Sequence, residues 1–441
     1  MTRGAGVAAA AGRRWRDLVG RIDRAGWVLL AVTAAALVIR LVVASRLATV
    51  RGFQDGDQGD YQLLAFNLIG GNGYRTSGGL TAWRSPGYPV FLAFVIRAGH
   101  ALPFEASIRG IVGVAQAFVG AGTVLLTGLL GRRLGRPKAG MVAAAVLAVW
   151  PSVVLLTAMV LTETLFTFLL VAAVLVAVWD EDPGRRRCLA AGVLLGAATL
   201  VRPAALPVAV VLVGWLIVRF ATPGARRVGL RRAGTLVAGI AVVLAPWVFR
   251  NYLDLGAFVP TDLHGGYALC QSNRPGAGPQ DPDDPACRVE GADEVRNDRI
   301  LRDRALRWMV EHPDSASWLV VRRAGVLFGE DGDVVVELVD PRAPDPRFSE
   351  AAAYDLTRLS NRWWWVVFPV GAVGTVLLLR DRRSRVVALA FLAVLVLPLL
   401  VTVSPRFHQP VAPLLALGVG AVAEAAWRRL RRGSKVAADS R

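Results

Sequence analysis

GYPVFLAFVIRAGHALPF, residues 87–104, decides how the chain threads. Counted as a membrane span, it reverses the sidedness of every apolar segment after it. Runs of about twenty apolar residues, the length that crosses a bilayer, fall near 25–45, 109–131, 139–157, 162–179, 188–203, 204–219, 233–250, 363–380, 385–403 and 409–427. With 87–104 left out, Arg132-Arg133, Arg185-Arg186-Arg187, Arg226-Arg227 with Arg231-Arg232, Arg382-Arg383 and Arg428-Arg429 all share one side with the basic N-terminus. Counting it as a span would scatter them, against the positive-inside rule. The segment is also short and interrupted by Arg97 and His100, which suits a helix lying in the interface. The expectation is an all-α polytopic protein of the cell membrane. It has about ten transmembrane helices and both termini cytoplasmic.

Composition agrees. Hydrophobic residues make up 54% of the 441, too many for a soluble domain. The net charge of +18 does not indicate nucleic acid as a partner, because the arginines come in short clusters between apolar spans. Such clusters orient the chain and meet membrane lipids. Residues 1–24 are basic and run into a full span without a small-residue cleavage site, so the span reads as a retained signal anchor.

This threading divides the chain into a basic N-terminus (1–24), a transmembrane core (25–250), a large extracytoplasmic loop (251–362), closing helices (363–427) and a basic tail (428–441). The core contains a first outer loop at 46–108. The large loop is Pro-, Asp- and Gly-rich at 274–298, helix-like at 294–328, and holds a short strand expected at Val334–Val339. Trp363-Trp364-Trp365 reads as an interfacial belt. Cys188 reads as an inert apolar residue. Cys270 and Cys287, seventeen positions apart in the outer loop, are disulfide candidates. Such a bridge contributes about 3 kcal/mol in the chain-entropy view.

The chemistry concentrates in the first loop, FQDGDQGDYQLLAFNLIGGNGYRTSGGLTAWRSPGYP at 53–89. Gln58 to Ile69 reads as an amphipathic helix with Tyr61, Leu64, Ala65 and Leu68 on one face, ended by Gly70-Gly71-Asn72-Gly73. Asp57 would sit at its N-terminus, either as a simple N-cap or as a reactive group. Asp55 and Asp60 flank it as solvated charges or as partners. Carboxylates here could take a proton from an attacking hydroxyl or hold a divalent cation against phosphate. No cofactor is obligatory on this reading, although Asp55, Asp57 and Asp60 could hold a cation. Arg84, Arg202, Arg250 and Arg406 fall on or near the outer side, against the positive-inside trend. A phosphate would account for them through forked hydrogen bonds, and snorkelling to headgroups is the plainer alternative. Glu163, at a span boundary, is either paired or functional. His408 is more readily a boundary histidine than a base. No P-loop, dinucleotide fingerprint or zinc pair is present in the sequence.

These residues carry a family resemblance. Asp57-x-x-x-Tyr61, Ala65-x-Asn67-Leu68, Gly71-x-Gly73-Tyr74 and Ala82-x-Arg84-x-Pro86-Gly87-Tyr88-Pro89 resemble the first periplasmic loop of bacterial GT-C glycosyltransferases. That class includes enzymes similar to protein O-mannosyltransferases and lipid A aminoarabinose transferases. Leu161 to Leu165 around Glu163, Leu200-Val201-Arg202-Pro203, Pro246-Trp247-x-x-Arg250-Asn251, Gly265-Gly266-Tyr267 with Asn273-Arg274-Pro275, and Ser404-Pro405-Arg406-Phe407-His408 resemble later motifs in the expected order. The adjacent acidic pair of many class members is missing from the first loop, which leaves Asp57, Asp55 and Asp60 in competition. The resemblance implies a GT-C core with interfacial loop helices. It also implies transfer of a sugar from a polyprenyl-phosphate donor to a glycan, protein or lipid acceptor outside the membrane. Inversion would use a loop aspartate as base, and Tyr61, Arg84, Tyr88, Glu163, Arg202, Arg250, Arg406 and His408 would bind substrate. A flippase of lipid-linked sugars, or a non-catalytic envelope-assembly partner, is the alternative.

Overall fold

The computed structural model describes residues 23–47, 56–100, 107–222, 224–278, 285–336 and 349–439. Asp55 lies outside them. Helix α1 (Arg24–Leu47) precedes the first loop, which comprises α2 (Asp57–Ile69), an antiparallel ribbon of β1 (Arg75–Thr76) and β2 (Gly79–Leu80), and α3 (Gly87–His100). The core continues through α4 (Ile108–Arg133), α5 (Pro137–Ala148), α6 (Pro151–Leu155), α7 (Glu163–Ala177), α8 (Arg185–Val201), α9 (Leu206–Arg219) and α10 (Arg226–Leu255). The second loop holds α11 (Gly265–Ser272), α12 (Glu294–Glu311), α13 (Pro313–Gly329) and the single turn α14 (Asp333–Val336). After it come α15 (Glu350–Arg380), α16 (Arg385–Ala393), α17 (Val396–Leu400), a 3-10 turn at Pro405–Val411 and α18 (Ala412–Asp439).

Length and apolarity qualify five helices to cross a membrane, at Arg24–Leu47, Ile108–Arg133, Arg226–Leu255, Glu350–Arg380 and Pro405–Arg431. A sixth qualifies if Pro137–Ala148 and Pro151–Ala158, bent by 62°, form one broken span. Gly87–Gly99, Glu163–Ala177, Pro203–Arg219 and Arg385–Leu400 are apolar but shorter. The ten expected segments are thus helical, and among the described residues five or six helices are long and apolar enough to span. Within the segment read as one span at 139–157, Pro151 begins a new helix. Proline at a first helical position does this.

Helix α3, the segment on which the threading turned, has fourteen residues. That is about 21 Å of helix, less than the bilayer core. It buries Tyr88, Leu92 and Ile96 and exposes Val90 and Phe94. Gly87 lets its start touch α8: a Cβ there would lie 2.7 Å from the Leu200 carbonyl. Helix α7 is central, with twelve of its fifteen residues buried. Small residues let other helices close up, as in membrane bundles generally. A Cβ on Gly374 of α15 would collide with the Gly418 carbonyl oxygen of α18.

Two expectations are corrected here. Val334 to Val336 are helical, and 337–339 lie outside the described residues. With no neighbouring strand to pair with, that backbone bonds to itself. Val334 and Val335 pack on Leu155, Leu156 and Met159. Trp364 is fully buried and stacks on His408 with centroids 4.1 Å apart, while Trp365 is 61% exposed. The tryptophan triplet is therefore partly core. Cys270 and Cys287 are disulfide-bonded, and Cys188 is free and buried.

Candidate active site

The helix over Asp57–Ile69 forms where the sequence placed it. Gly71 and Gly73, at φ +75° and +78°, turn the chain back after it in a conformation that glycine adopts without strain. Asp57 is the first residue of the helix and does not cap it: Gly56 holds the N-cap position, without a side-chain cap. The Asp57 carboxylate reaches instead to two guanidinium groups. Its Oδ1 lies 2.7 Å from Arg84 and its Oδ2 2.5 Å from Arg406. Arg84 also donates to Asp60 from Nε (3.0 Å) and from a terminal nitrogen (2.8 Å). On the other side Arg406 lies 3.6 Å from Glu163, and Glu163 pairs with Arg202 at 2.8 Å.

The result is an alternating ladder, Asp60–Arg84–Asp57–Arg406–Glu163–Arg202, drawn from α2, the loop before α3, the turn before α18, and α7 and α8. Glu163 and Arg406 are its buried rungs, at 2% and 8% exposure; Asp57 is 29% exposed and Asp60 37%. Burial pushes the Asp57 carboxyl up, but Arg84 and Arg406 outweigh that and hold it well below the usual carboxylate range. Opposite charges at such short range favour the ionised form. Aromatic rings brace the arginines: Tyr61 lies 5.7 Å from Arg84 and Phe407 4.6 Å from Arg202. Both separations are within reach of cation–π attraction.

The ladder heads a cavity of about 590 Å³. Asp57, Tyr61, Arg84 and Arg202 line it together with the apolar Phe166, Val201, Leu397, Pro398, Val401 and Phe407. Among the polar residues that the sequence reading passed over, Ser85, Asp262, His264, Asp298 and Arg302 also line the cavity. Ser85 donates to Asp262 at 2.5 Å, and burial pushes the Asp262 carboxyl up. Burial lowers His264 to about 3, so its ring is neutral at pH 7. Asp262-Leu263-His264 sits directly before the quoted Gly265-Gly266-Tyr267 motif, and that adjacency was the available signal.

Of the expected substrate residues, Glu163 and Arg406 belong to the ladder without lining the cavity, and three more stand apart from both. Tyr88 is fully buried behind Tyr61 and donates to Gln116 at 3.1 Å. Arg250 donates to the Thr81 and Tyr74 carbonyls at 2.7 and 2.8 Å and pairs with Asp254, so it shapes the first loop from outside. His408 lies in a separate buried network, its ring nitrogens 2.7 Å from the Leu327 carbonyl and 2.8 Å from Asp331. Asp331 also accepts from Trp150 and Ser152 at 2.9 and 2.6 Å. Among the described residues no three His, Cys, Asp or Glu side chains are grouped as a metal site.

Residues 88–249 match the family model described as dolichyl-phosphate-mannose-protein mannosyltransferase. The architecture matches solved structures of the Archaeoglobus fulgidus oligosaccharyltransferase. One, a complex with zinc and sulfate, aligns over 91% of this chain and 49% of its own at 16% identity and a TM-score of 0.56. The chain has the GT-C glycosyltransferase fold. A second archaeal structure, AglB with an inhibitory peptide and a dolichol-phosphate, covers 94% of this chain and 52% of its own at 15% identity and a TM-score of 0.56. ArnT from Cupriavidus metallidurans bound to undecaprenyl phosphate overlaps at 15% identity, with 92% and 79% covered and a TM-score of 0.44. The chain spans about half the length of the archaeal structures. No curated protein sequence matches it significantly.

Proposed function

We propose that this membrane protein is an inverting glycosyltransferase that uses a polyprenyl-phosphate-linked sugar and works on the extracytoplasmic side. The observation that carries the reading is the charge ladder at the head of an apolar-walled cavity. A prenyl chain requires an apolar wall and its phosphate requires guanidinium forks, and the two meet at Arg84 and Arg202. The family match and the dolichol-phosphate held by the archaeal relative support that donor class.

The ladder suggests the order of events. At rest Asp57 is neutralised by Arg84 and Arg406 and is a weak base. A donor phosphate competes for Arg84, which draws one guanidinium away and frees a carboxylate oxygen when the sugar is in place. Asp57 then takes the proton of the acceptor hydroxyl, the hydroxyl oxygen bonds to the anomeric carbon, and the bond from that carbon to the phosphate oxygen breaks. The electron pair leaves on the phosphate, whose growing charge Arg84 and Arg202 stabilise. A single displacement inverts the sugar carbon. Asp60 holds Arg84 from the far side, and Arg406 keeps Asp57 pointed into the cavity.

Release of free polyprenyl phosphate from a panel of polyprenyl-phosphate sugars, with membrane extract as acceptor, tests this. Asp57→Asn should reduce release by about 10²- to 10⁴-fold, the range for removing a general base, while donor binding persists. Full turnover by Asp57→Asn would move the base elsewhere. Tight donor binding without release by the unmodified protein would indicate transport or a non-catalytic role.

A further inference from the structure

Across the bundle from the active-site cavity lies a second charged chamber. Helix α9 links the two: its N-terminus follows Ala204 in the active-site wall, and its C-terminal Arg219 is in the chamber. The helix has fourteen residues. At the α-helical rise it spans about 21 Å. The chamber measures about 760 Å³ and is built where α4, α7 and α9 end and α15 turns into α16.

Its charges do not cancel. Each wall carboxylate has its own guanidinium: Asp180 pairs with Arg187, Glu181 with Arg383, and Asp381 with Arg136 at 3.8 Å. Arg132 is engaged by Asp23 at 3.1 Å. Arg133, Arg219 and Arg382 line the same chamber with no carboxylate partner among the described residues. Arg133 lies 3.7 Å over the Trp179 ring and Arg219 5.8 Å from the Trp215 ring. Both guanidinium groups are therefore presented on aromatic faces.

A cleft of about 610 Å³ adjoins the chamber and shares Arg132, Arg133 and Trp179 with it. Its other walls are Gly26, Leu29 and Leu30 of α1 and Leu125 and Leu129 of α4, with Asp23, paired to Arg132, at its edge. An arginine chamber opening past a tryptophan onto a leucine cleft matches the two halves of a phospholipid.

We infer that this paired cavity is a binding site for one anionic phospholipid, with its phosphate headgroup among Arg133, Arg219 and Arg382 and an acyl chain along the leucine cleft. A soluble phosphate ester would satisfy the chamber alone and leave the cleft without a role, so a lipid accounts for both. The site is separate from the transfer chemistry proposed above and does not depend on it.

Native mass spectrometry of the full chain in detergent tests the site, with phosphatidylglycerol and phosphatidylcholine of matched acyl chains as probes. Phosphatidylglycerol should be retained roughly tenfold or more over phosphatidylcholine, falling as ionic strength rises. The triple variant Arg133→Gln, Arg219→Gln, Arg382→Gln should lose that preference at unchanged melting temperature. The single variants, made in case the triple fails to fold, should each lose part of it. Glycerol phosphate, the soluble probe, should displace the lipid poorly. Equal retention of the two lipids by the unmodified protein overturns the site. So does a preference that survives in a folded triple variant, or displacement by glycerol phosphate at lipid-like concentrations.

Discussion

Asp57 and His264 face the same cavity and are tuned in different ways. Asp57 is held low by guanidinium groups despite its burial, and His264 is lowered chiefly by burial. For His264 the folded value lies below the ordinary histidine value of about 6.5. Its neutral form therefore contributes stability that is present above about pH 6.5 and lost as pH falls toward the folded value of about 3. The slope is at most about 1.4 kcal/mol per pH unit. The melting temperature of the unmodified protein should fall between pH 7 and pH 5 more steeply than that of His264→Gln. Parallel slopes in a thermal-shift series would show that the ring is solvated. Asp57 contributes in the opposite part of the scale: its share is complete at neutral pH and is lost only in strong acid. The sequence reading set Asp57, Asp55 and Asp60 in competition within one loop and noted Arg84 as running against the positive-inside trend; the fold brings Asp57, Asp60 and Arg84 into contact. It did not single out Asp262 or His264: the motif beginning at Gly265 pointed only to their neighbourhood, and it is the fold that brings Asp262 against Ser85 of the first loop.

Helices end inside this bundle, and buried arginines complete those ends. The last carbonyls of a helix have no intrahelical partner. Arg40 donates to the Leu147 and Ala148 carbonyls at 3.0 and 3.2 Å, where α5 stops before the bend. Arg323 of α13 donates to the Leu399 and Leu400 carbonyls at 3.1 and 3.2 Å, to Asn273 at 2.9 Å and to the Ser272 carbonyl, so one fully buried side chain finishes both α17 and α11. Both arginines look like ordinary span or loop charges in the sequence. Segments 139–157 and 385–403 were read there as continuous spans and α11 as part of an outer loop, so the need for these caps was not visible. Arg323→Met keeps much of the volume and removes every donor. Each carbonyl left buried and unsatisfied costs about 1–3 kcal/mol. The variant should melt well below the unmodified protein in detergent, and Arg323→Lys should recover only part of the loss because an ammonium has no fork. A melting temperature unchanged in Arg323→Met would mean that water reaches those carbonyls.

At the scale of the molecule, the sequence marked the apolar segments that the structure shows as helices. It could not show how the two loops close over the cavity, since that depends on bonds across large sequence separations. The Glu294 carboxylate accepts from the Thr81 hydroxyl and the Ala82 amide at 2.5 and 2.9 Å, and the Leu263 amide donates to the Ala82 carbonyl at 2.8 Å. The second loop thereby holds the first in shape. Its own anchor beside the cavity is α11, which supplies Gly265, Ala268 and Leu269 to the wall and carries Cys270, bonded to Cys287. Replacing both cysteines by serine opens a bridge across a seventeen-residue separation. The loss is about 3 kcal/mol in the chain-entropy view. Because α11 forms wall and not ladder, on the function proposed above loosening it should raise KM for a lipid-linked donor several-fold and change kcat little, an outcome typical of losing uniform binding. Steady-state release of polyprenyl phosphate by the double-serine variant, alongside its melting temperature, separates the cases. A lower melting temperature with unchanged KM would make the bridge a purely structural staple. A fall in kcat at constant KM would mean that α11 positions Asp57 or His264 during the transfer itself.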